Sequence, residues 1–374
     1  MSELGRSARP AVFDIRPYVP GKPIEEVQRE LGLTDVIKLA SNENPRGPSP
    51  AALAALREWL PKAHLYPDGA ALRLKEGIAR HAGVEPENVI VGNGSDELIK
   101  LLAETFLNPG DEVVMADPSF SEYAFAALLL GARVRKVPLT GERHDLAAMA
   151  EAIGPRTKLV FLCNPNNPTG TIVTAGEVQE FLARVPEEVV VVFDQAYEEY
   201  VTAPAYGSGL PYVLGGRRAI VLRTFSKIYG LAGLRVGYGI AAPELLALVE
   251  RAREPFNVNQ AAQVAAEAAL EDRDFVAGSR ELNTRERERL ETALAGRGYS
   301  VVPSQANFLF VDVGVDSAAL FRHLLSLGVI VRSGDVFQRP THLRVTVGTP
   351  DQNDRFLAAV EMARQALWEE DRSS

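Results

Sequence analysis

Apolar runs of strand length recur along this chain, and several of the stretches between them repeat apolar residues at helical spacing. The runs are Val89-Ile-Val, Glu112-Val-Val-Met-Ala, Lys158-Leu-Val-Phe-Leu, Glu188-Val-Val-Val-Val-Phe and Ala219-Ile-Val-Leu-Arg, with Arg133-Val-Arg-Lys-Val read as a further buried strand; helical spacing appears over 121–130 and 175–184. This alternation predicts an α/β fold with a mainly parallel sheet. Farther along, Pro255 to about Gly298 reads as helical. Ala306-Asn-Phe-Leu-Phe-Val, Val329-Ile-Val-Arg332 and His342-Leu-Arg344-Val-Thr-Val then read as strands of a second, smaller α+β unit, closed by a helix over 351–368. The charged run Arg285-Glu-Arg-Glu-Arg is expected to be a solvated helix face.

Before the first long strand, Arg16-Pro-Tyr-Val-Pro-Gly-Lys-Pro23 is too proline-rich for a helix or a central strand. A short helix is predicted over Ile24 to Leu31 and stops at Gly32. Ser49-Pro50 opens another, with serine as cap and proline in the first helical position. Tyr66-Pro-Asp-Gly is a strong turn sequence.

Polar groups collect where the predicted strands end, the edge at which open α/β sheets bind ligands. Asp117-Pro-Ser-Phe120, Asn164-Pro-Asn-Asn167-Pro-Thr-Gly, Asp194-Gln-Ala-Tyr197 and Thr224-Phe-Ser-Lys227 each follow a strand. Gly92-Asn-Gly94-Ser95-Asp96-Glu97 joins a strand to a helix, and such a helix start offers free N–H groups to a phosphate. Glu97 stands where a dinucleotide fingerprint needs its third glycine, which argues against a nicotinamide enzyme. Lys227 shares its stretch with Thr224, Ser226 and Arg235. An amine that burial can deprotonate, beside hydroxyls and a guanidinium that suit a phosphate monoester, is what pyridoxal phosphate requires. A lone S-x-K is more often a surface turn. Here, however, the chain has only 8 lysines against 32 arginines, so a retained lysine suggests chemistry arginine cannot perform.

Composition narrows the class without changing that picture. The chain has 374 residues, 46% hydrophobic and 24% charged, with net charge −9, so two domains are expected and a nucleic-acid or anionic-membrane partner is not. No apolar run reaches membrane-spanning length, the N-terminal residues lack the apolar core of a signal peptide, and one cysteine suits a reducing cytoplasm. Cys163 ends an apolar run and reads as a buried thiol. The 5 histidines form no ligand cluster, so no metal site is expected.

Taken together, the motifs resemble, over the whole chain, the class-II pyridoxal-phosphate-dependent aminotransferases of fold type I. Among these they are most similar to the histidinol-phosphate aminotransferase family. The carriers are Pro17-Tyr18-x-Pro-Gly-Lys-Pro, Ser41-Asn-Glu-Asn44-Pro, Tyr66-Pro-Asp-Gly, Gly92-Asn-Gly-Ser-Asp-Glu, Asn164-Pro-Asn-Asn-Pro-Thr-Gly, Asp194-x-x-Tyr197, Thr224-x-Ser-Lys227, Leu231-Ala-Gly-Leu-Arg235-Val-Gly and Leu343-Arg344-Val-Thr-Val-Gly. The resemblance implies an N-terminal arm over 1–45, packing with the small domain and a partner subunit. It implies a large cofactor domain over 46–265 with a seven-stranded, mainly parallel sheet flanked by helices, and a smaller α+β domain over 266–374.

The resemblance also assigns roles. Lys227 forms the imine with pyridoxal phosphate and shuttles the proton, Asp194 pairs with the ring nitrogen, and Tyr197 and Asn167 bond the ring 3-oxygen. Gly94, Ser95, Asp96, Thr224, Ser226 and Arg235 hold the phosphate, Phe120 stacks on the ring, and Tyr66 reaches the neighbouring subunit's site, which implies a homodimer. Substrate contacts fall on Tyr18, Asn44, Tyr66, Asn167, Asn307, Arg332 and Arg344. The reaction implied is L-histidinol phosphate plus 2-oxoglutarate to imidazole acetol phosphate plus L-glutamate, in the cytoplasm. Aromatic amino-acid transamination and threonine-phosphate decarboxylation are the alternatives. A regulator on the same fold would need a DNA-binding helix-turn-helix, a pattern residues 1–45 lack.

Overall fold

A computed structural model describes residues 7–15, 17 and 21–373. The strands are β1 (Ile37–Lys38), β2 (Val89–Gly92), β3 (Glu112–Asp117), β4 (Arg133–Pro138), β5 (Thr157–Cys163), β6 (Val190–Asp194), β7 (Ala219–Thr224), β8 (Gly237–Ala241), β9 (Ser300–Val302), β10 (Phe308–Asp312), β11 (Val329–Ile330), β12 (Arg332–Ser333) and β13 (His342–Thr346). Seven of them form one sheet in the order β2-β8-β7-β6-β5-β3-β4. Every pairing from β7 to β4 is parallel, and β8 runs antiparallel to both neighbours. β6 and β7 are buried at every position, as the near-continuous apolar runs require of strands covered on both faces. β4 is one of the two edge strands, and its exposed Arg133, Arg135 and Lys136 discourage further pairing.

β8 is the strand the hydrophobic pattern did not reveal, because its sequence is Gly237-Tyr-Gly-Ile-Ala. The glycine has a steric cause. A Cβ at Gly237 would lie 2.6 Å from the backbone N of Ser95, so only glycine lets the start of the helix Ser95–Phe106 settle against the sheet. The expected helices form at Ile24–Leu31, which ends on left-handed Gly32, and at Pro50–Trp59, where Ser49 accepts from the backbone N–H of Ala52. Ala175–Arg184 starts with a capping box between Thr174 and Glu177.

The smaller sheet is antiparallel, in the order β12-β13-β10-β9. Its core joins Leu309, Val311, Leu343 and Val345 to Leu290 and Leu294, Leu320 and Leu324, and Phe356 and Val360 from three helices. The run read as one strand over Val329–Arg332 splits. β11 pairs in parallel with β1, and only Arg332–Ser333 joins the small sheet. The segment ahead of Pro50 is thereby sewn to the second half of the chain. The expected boundary at residue 265 falls inside the helix Gln260–Glu271, whose buried Ala262, Ala265, Ala266, Ala269 and Leu270 belong to the large-sheet core.

The charged run at 285–289 is not a solvated face throughout. Glu286 and Arg287 are buried, Glu286 accepts from Asn353 Nδ2 at 3.0 Å and Arg289 Nη2 at 2.8 Å, and Arg287 reaches the carbonyl of Ala306. Composition could not signal this, since burial of a charge depends on partners from Ala306 and Asn353. Among the described residues no helix is long and apolar enough to cross a membrane, and no cluster of His, Cys, Asp or Glu could hold a metal ion.

Candidate active site

The carboxyl ends of β5, β6 and β7 meet the start of the helix Ser95–Phe106 and the middle of β13 around a cavity of about 400 Å³. Eleven of the residues singled out from the sequence line it: Ser95, Asp96, Phe120, Asn167, Asp194, Tyr197, Thr224, Ser226, Lys227, Arg235 and Arg344.

Lys227 Nζ lies 3.2 Å from the carbonyl of Ser41 and 5.6 Å from the ring centre of Tyr197. Burial, reinforced by the positive charge of Arg344, pulls its ammonium down to about 8. A fraction of roughly a tenth is then the neutral amine at pH 7, against well under a thousandth for an ordinary lysine. Asp194 ends β6 and is buried, and desolvation raises its carboxyl to about 6. Hydrogen bonds oppose that rise: Tyr123 donates its hydroxyl to Oδ2 at 2.6 Å and the backbone N–H of Ala196 donates to Oδ1 at 3.1 Å. No motif in the sequence singles out Tyr123. It lies three residues beyond Phe120 on the next helix, with its ring stacked on Phe161 at 4.5 Å.

At the other end of the cavity Gly94 caps the helix Ser95–Phe106 with φ of 81°, and a Cβ there would come within 2.6 Å of Arg235 Nη2. Glycine therefore lets a guanidinium and a helix N-terminus converge on one spot. Arg235 also bonds Asp96 Oδ2 at 2.8 Å and Ser226 Oγ at 3.4 Å, and the backbone N–H of Ser226 donates to Thr224 Oγ1 at 3.1 Å. The donor set fits a phosphate group. With the buried carboxylate, the amine and the half-buried Phe120, it fits pyridoxal phosphate as a whole.

Arg344 enters from the small sheet and is buried. It donates to Asn167 Oδ1 at 2.5 Å and to the carbonyl of Ala40 at 2.7 Å, and lies over the rings of Phe308 and Phe337. Arg332 is its register partner across the β12–β13 ladder, so the two share one face of the sheet although only Arg344 lines the cavity.

The other expected residues within the described range lie off the cavity wall. Asn44 donates to the carbonyl of Ile228 at 2.7 Å and to Ser279 Oγ at 3.2 Å, a tie to the residue after Lys227. Asn307 donates to the carbonyl of Asn42 at 3.0 Å. Tyr66 is 84% exposed and stacks on Phe256 at 5.0 Å. Tyr18 lies outside the described residues. Cys163 is buried with its thiol pushed up to about 12 by desolvation, as its apolar run suggested, although its side chain also borders the cavity. Asn42, Ser41, Glu43 and Glu122 line the cavity as well. For the polar loop around 41–45, the signal in the sequence is its match to a family motif.

Residues 34–360 match the sequence profile of the family described as aminotransferase class I and II. The chain is 59% identical over 353 residues to the histidinol-phosphate aminotransferase of Moorella thermoacetica, covering 94% of this chain and 92% of that protein. It is 52% identical over 363 residues to histidinol-phosphate aminotransferase 2 of Carboxydothermus hydrogenoformans, covering 96% and 99%. In three dimensions it superposes on the histidinol-phosphate aminotransferase of Sinorhizobium meliloti, solved in complex with pyridoxal-5'-phosphate, with a TM-score of 0.88 at 29% identity, covering 98% and 99%. With a lysine, an aspartate and an arginine brought to one cavity of a fold type I sheet, the chain belongs to the class I and II aminotransferases.

Proposed function

We propose that the enzyme uses pyridoxal phosphate to move the amino group of L-histidinol phosphate to 2-oxoglutarate, giving imidazole acetol phosphate and L-glutamate in histidine biosynthesis. The observation that carries this reading is the buried Lys227 amine in one cavity with Asp194 and Arg344. The names of the relatives at 59% and 52% identity favour this substrate over an aromatic amino acid or threonine phosphate.

When bound, pyridoxal phosphate supplies an aldehyde that condenses with amines and a ring that accepts the electrons of a broken Cα–H bond. The chain's own groups do the rest. Lys227 Nζ is the nucleophile and, once displaced by the substrate's amine, the base that takes the proton from the amino-bearing carbon. Asp194 holds a proton on the ring nitrogen, and Tyr197 and Asn167 donate to the ring 3-oxygen. Ser95, Asp96, Thr224, Ser226 and Arg235, with Gly94 leaving them room, grip the phosphate, and Phe120 covers the ring. Arg344 meets the substrate's phosphate in one half-reaction and a carboxylate of 2-oxoglutarate in the other. Arg332 adds the second positive charge that a phosphate ester needs and a carboxylate does not. Tyr18, Asn44 and Asn307 complete the substrate side, the last two by supporting the cavity wall.

The enzyme acts as a homodimer. Tyr66, Leu65, Leu72 and Phe256 are exposed apolar side chains, a surface suited to a second copy, and Tyr66 reaches across to its partner's site. Residues 1–45 form the arm, and the large domain extends from 46 to about Asp272, past the expected 265. The single, buried cysteine suits a cytoplasmic enzyme.

The test is the ratio of kcat/KM for histidinol phosphate to that for phenylalanine in the wild type. Histidinol phosphate should win by at least tenfold, about 1.4 kcal/mol, and Arg332→Ala should narrow the gap. A tenfold preference for phenylalanine would remove the histidinol-phosphate assignment and leave an aminotransferase.

A further inference from the structure

Tyr197 has one proton to give, and two residues from other parts of the chain decide where it goes. Burial pushes the phenol well above its ordinary range, so the hydroxyl stays protonated at neutral pH. Asn42, 1% exposed, sits at φ 57°, a left-handed conformation that asparagine tolerates better than most residues. Its backbone N–H donates to Thr346 Oγ1 at 2.9 Å, and that hydroxyl donates back to Asn42 Oδ1 at 3.1 Å. With a donor already on the amide oxygen, the amide nitrogen faces the other way, and Nδ2 donates to the Tyr197 hydroxyl oxygen at 3.1 Å. A phenol that accepts there keeps its own proton for another direction, and both residues line the cavity.

We propose that Asn42 is a positioning residue: locked by Thr346, it makes Tyr197 an acceptor on its outer side and aims the Tyr197 proton into the cavity, at the cofactor's 3-oxygen. This rests on the role given to Tyr197 above. Asn42 belongs to the N-terminal segment, Thr346 to β13 of the small sheet and Tyr197 to the loop after β6. The proton is therefore aimed only when all three are assembled. The other titratable or charged groups around Tyr197 are Arg344, Asp194, Cys163, Tyr200 and Lys227.

The discriminating readout is the pH midpoint of the visible absorption of the enzyme loaded with pyridoxal phosphate. A donor to the ionised 3-oxygen lowers that midpoint, so losing it raises it. Tyr197→Phe should raise the midpoint by about one unit or more. Asn42→Gly, which keeps the left-handed backbone and its bond to Thr346, should raise it by part of that amount. The double variant should go no higher than Tyr197→Phe alone, and Thr346→Val should move the midpoint in the same direction. Affinity of the apoprotein for pyridoxal phosphate should fall in the same order. A midpoint unmoved in Asn42→Gly but raised in Tyr197→Phe would overturn this inference alone, as would additive shifts in the double variant. A midpoint unmoved in Tyr197→Phe would overturn the role of Tyr197 and this inference together.

Discussion

Tyr123 and Asp194 meet at 2.6 Å across 71 positions of sequence, the phenol donating to a carboxylate oxygen that burial would otherwise drive toward its protonated form. The sign is unambiguous. Burial raises the Asp194 carboxyl to about 6, and the Tyr123 bond, which favours the ionised form, lowers it. Tyr123→Phe keeps the packing on Phe161 and removes a bond to a charged group worth roughly 1.5–3 kcal/mol. The acid limb of the kcat profile should move up by about one to two pH units. A profile that stays in place while only the melting temperature falls would reduce Tyr123 to a packing residue.

In the proposed reaction the nucleophile and the proton shuttle are the same atom, so removing the Lys227 amine should abolish transamination. Lys227→Ala should lose several orders of magnitude in kcat while still binding pyridoxal phosphate non-covalently. Near-normal turnover would place the anchor elsewhere.

The depressed Lys227 amine has a consequence in the apoprotein. Burial and then Arg344 bring it to about 8, so the rate of combination with pyridoxal phosphate should rise with pH through that value. Arg344→Gln removes the second cause and should carry the midpoint upward. Stopped-flow absorbance over pH 6–10 measures it, and an Arg344→Gln profile that overlays the wild type would deny the charge effect.

The proposed sharing of the site through Tyr66 is open to a direct test. Lys227→Ala and a Tyr66→Ala protein, each inactive or nearly so, should regain part of the activity after subunit exchange, since a hybrid holds one site with both residues intact. Mixed dimers that form, as judged by a tag on one subunit, without any recovery would mean that each site is built from one chain.

His144 gives a stability prediction. Desolvation lowers it from its usual 6.5 to about 4, while its Nε2 lies 3.1 Å from Asn166 Oδ1. Below about pH 6.5 the unfolded chain binds a proton that the native one refuses, so this residue's contribution to stability declines as pH falls from there to about 4. The melting-temperature difference between wild type and His144→Gln should therefore shift against the wild type across that range. Asp194 and Glu199, whose carboxyls burial raises, work in the opposite sense, so the difference between the two proteins, rather than either curve alone, is the quantity to read. A difference constant with pH would contradict it.

Much of this protein could be read from short stretches of its sequence because the forces involved act over short stretches. The strands from β2 to β7, the charged edge strand β4 apart, announce themselves as apolar runs, Ser49 and Pro50 start a helix by local hydrogen bonding and fixed φ, and most polar residues of the cavity follow strand ends. Lys227, Asp194 and Asn167 could be named for that reason, and Arg235 because it shares a stretch with Lys227. β8 could not, since its Gly237 answers to Ser95, more than 140 positions away, and its Gly239 to Ile220 and Ile90 on the neighbouring strands. Nor could the burial of Glu286 and Arg287, whose partners at Ala306 and Asn353 come from other elements. The bonds from Tyr123 to Asp194, from Asn42 to Tyr197 and from Arg344 to Asn167 join residues 71, 155 and 177 positions apart. Which strand-end side chains line the cavity was a matter of local pattern. Which way their protons and charges point was decided by tertiary packing, because a buried polar group takes its orientation from whatever partner the fold delivers.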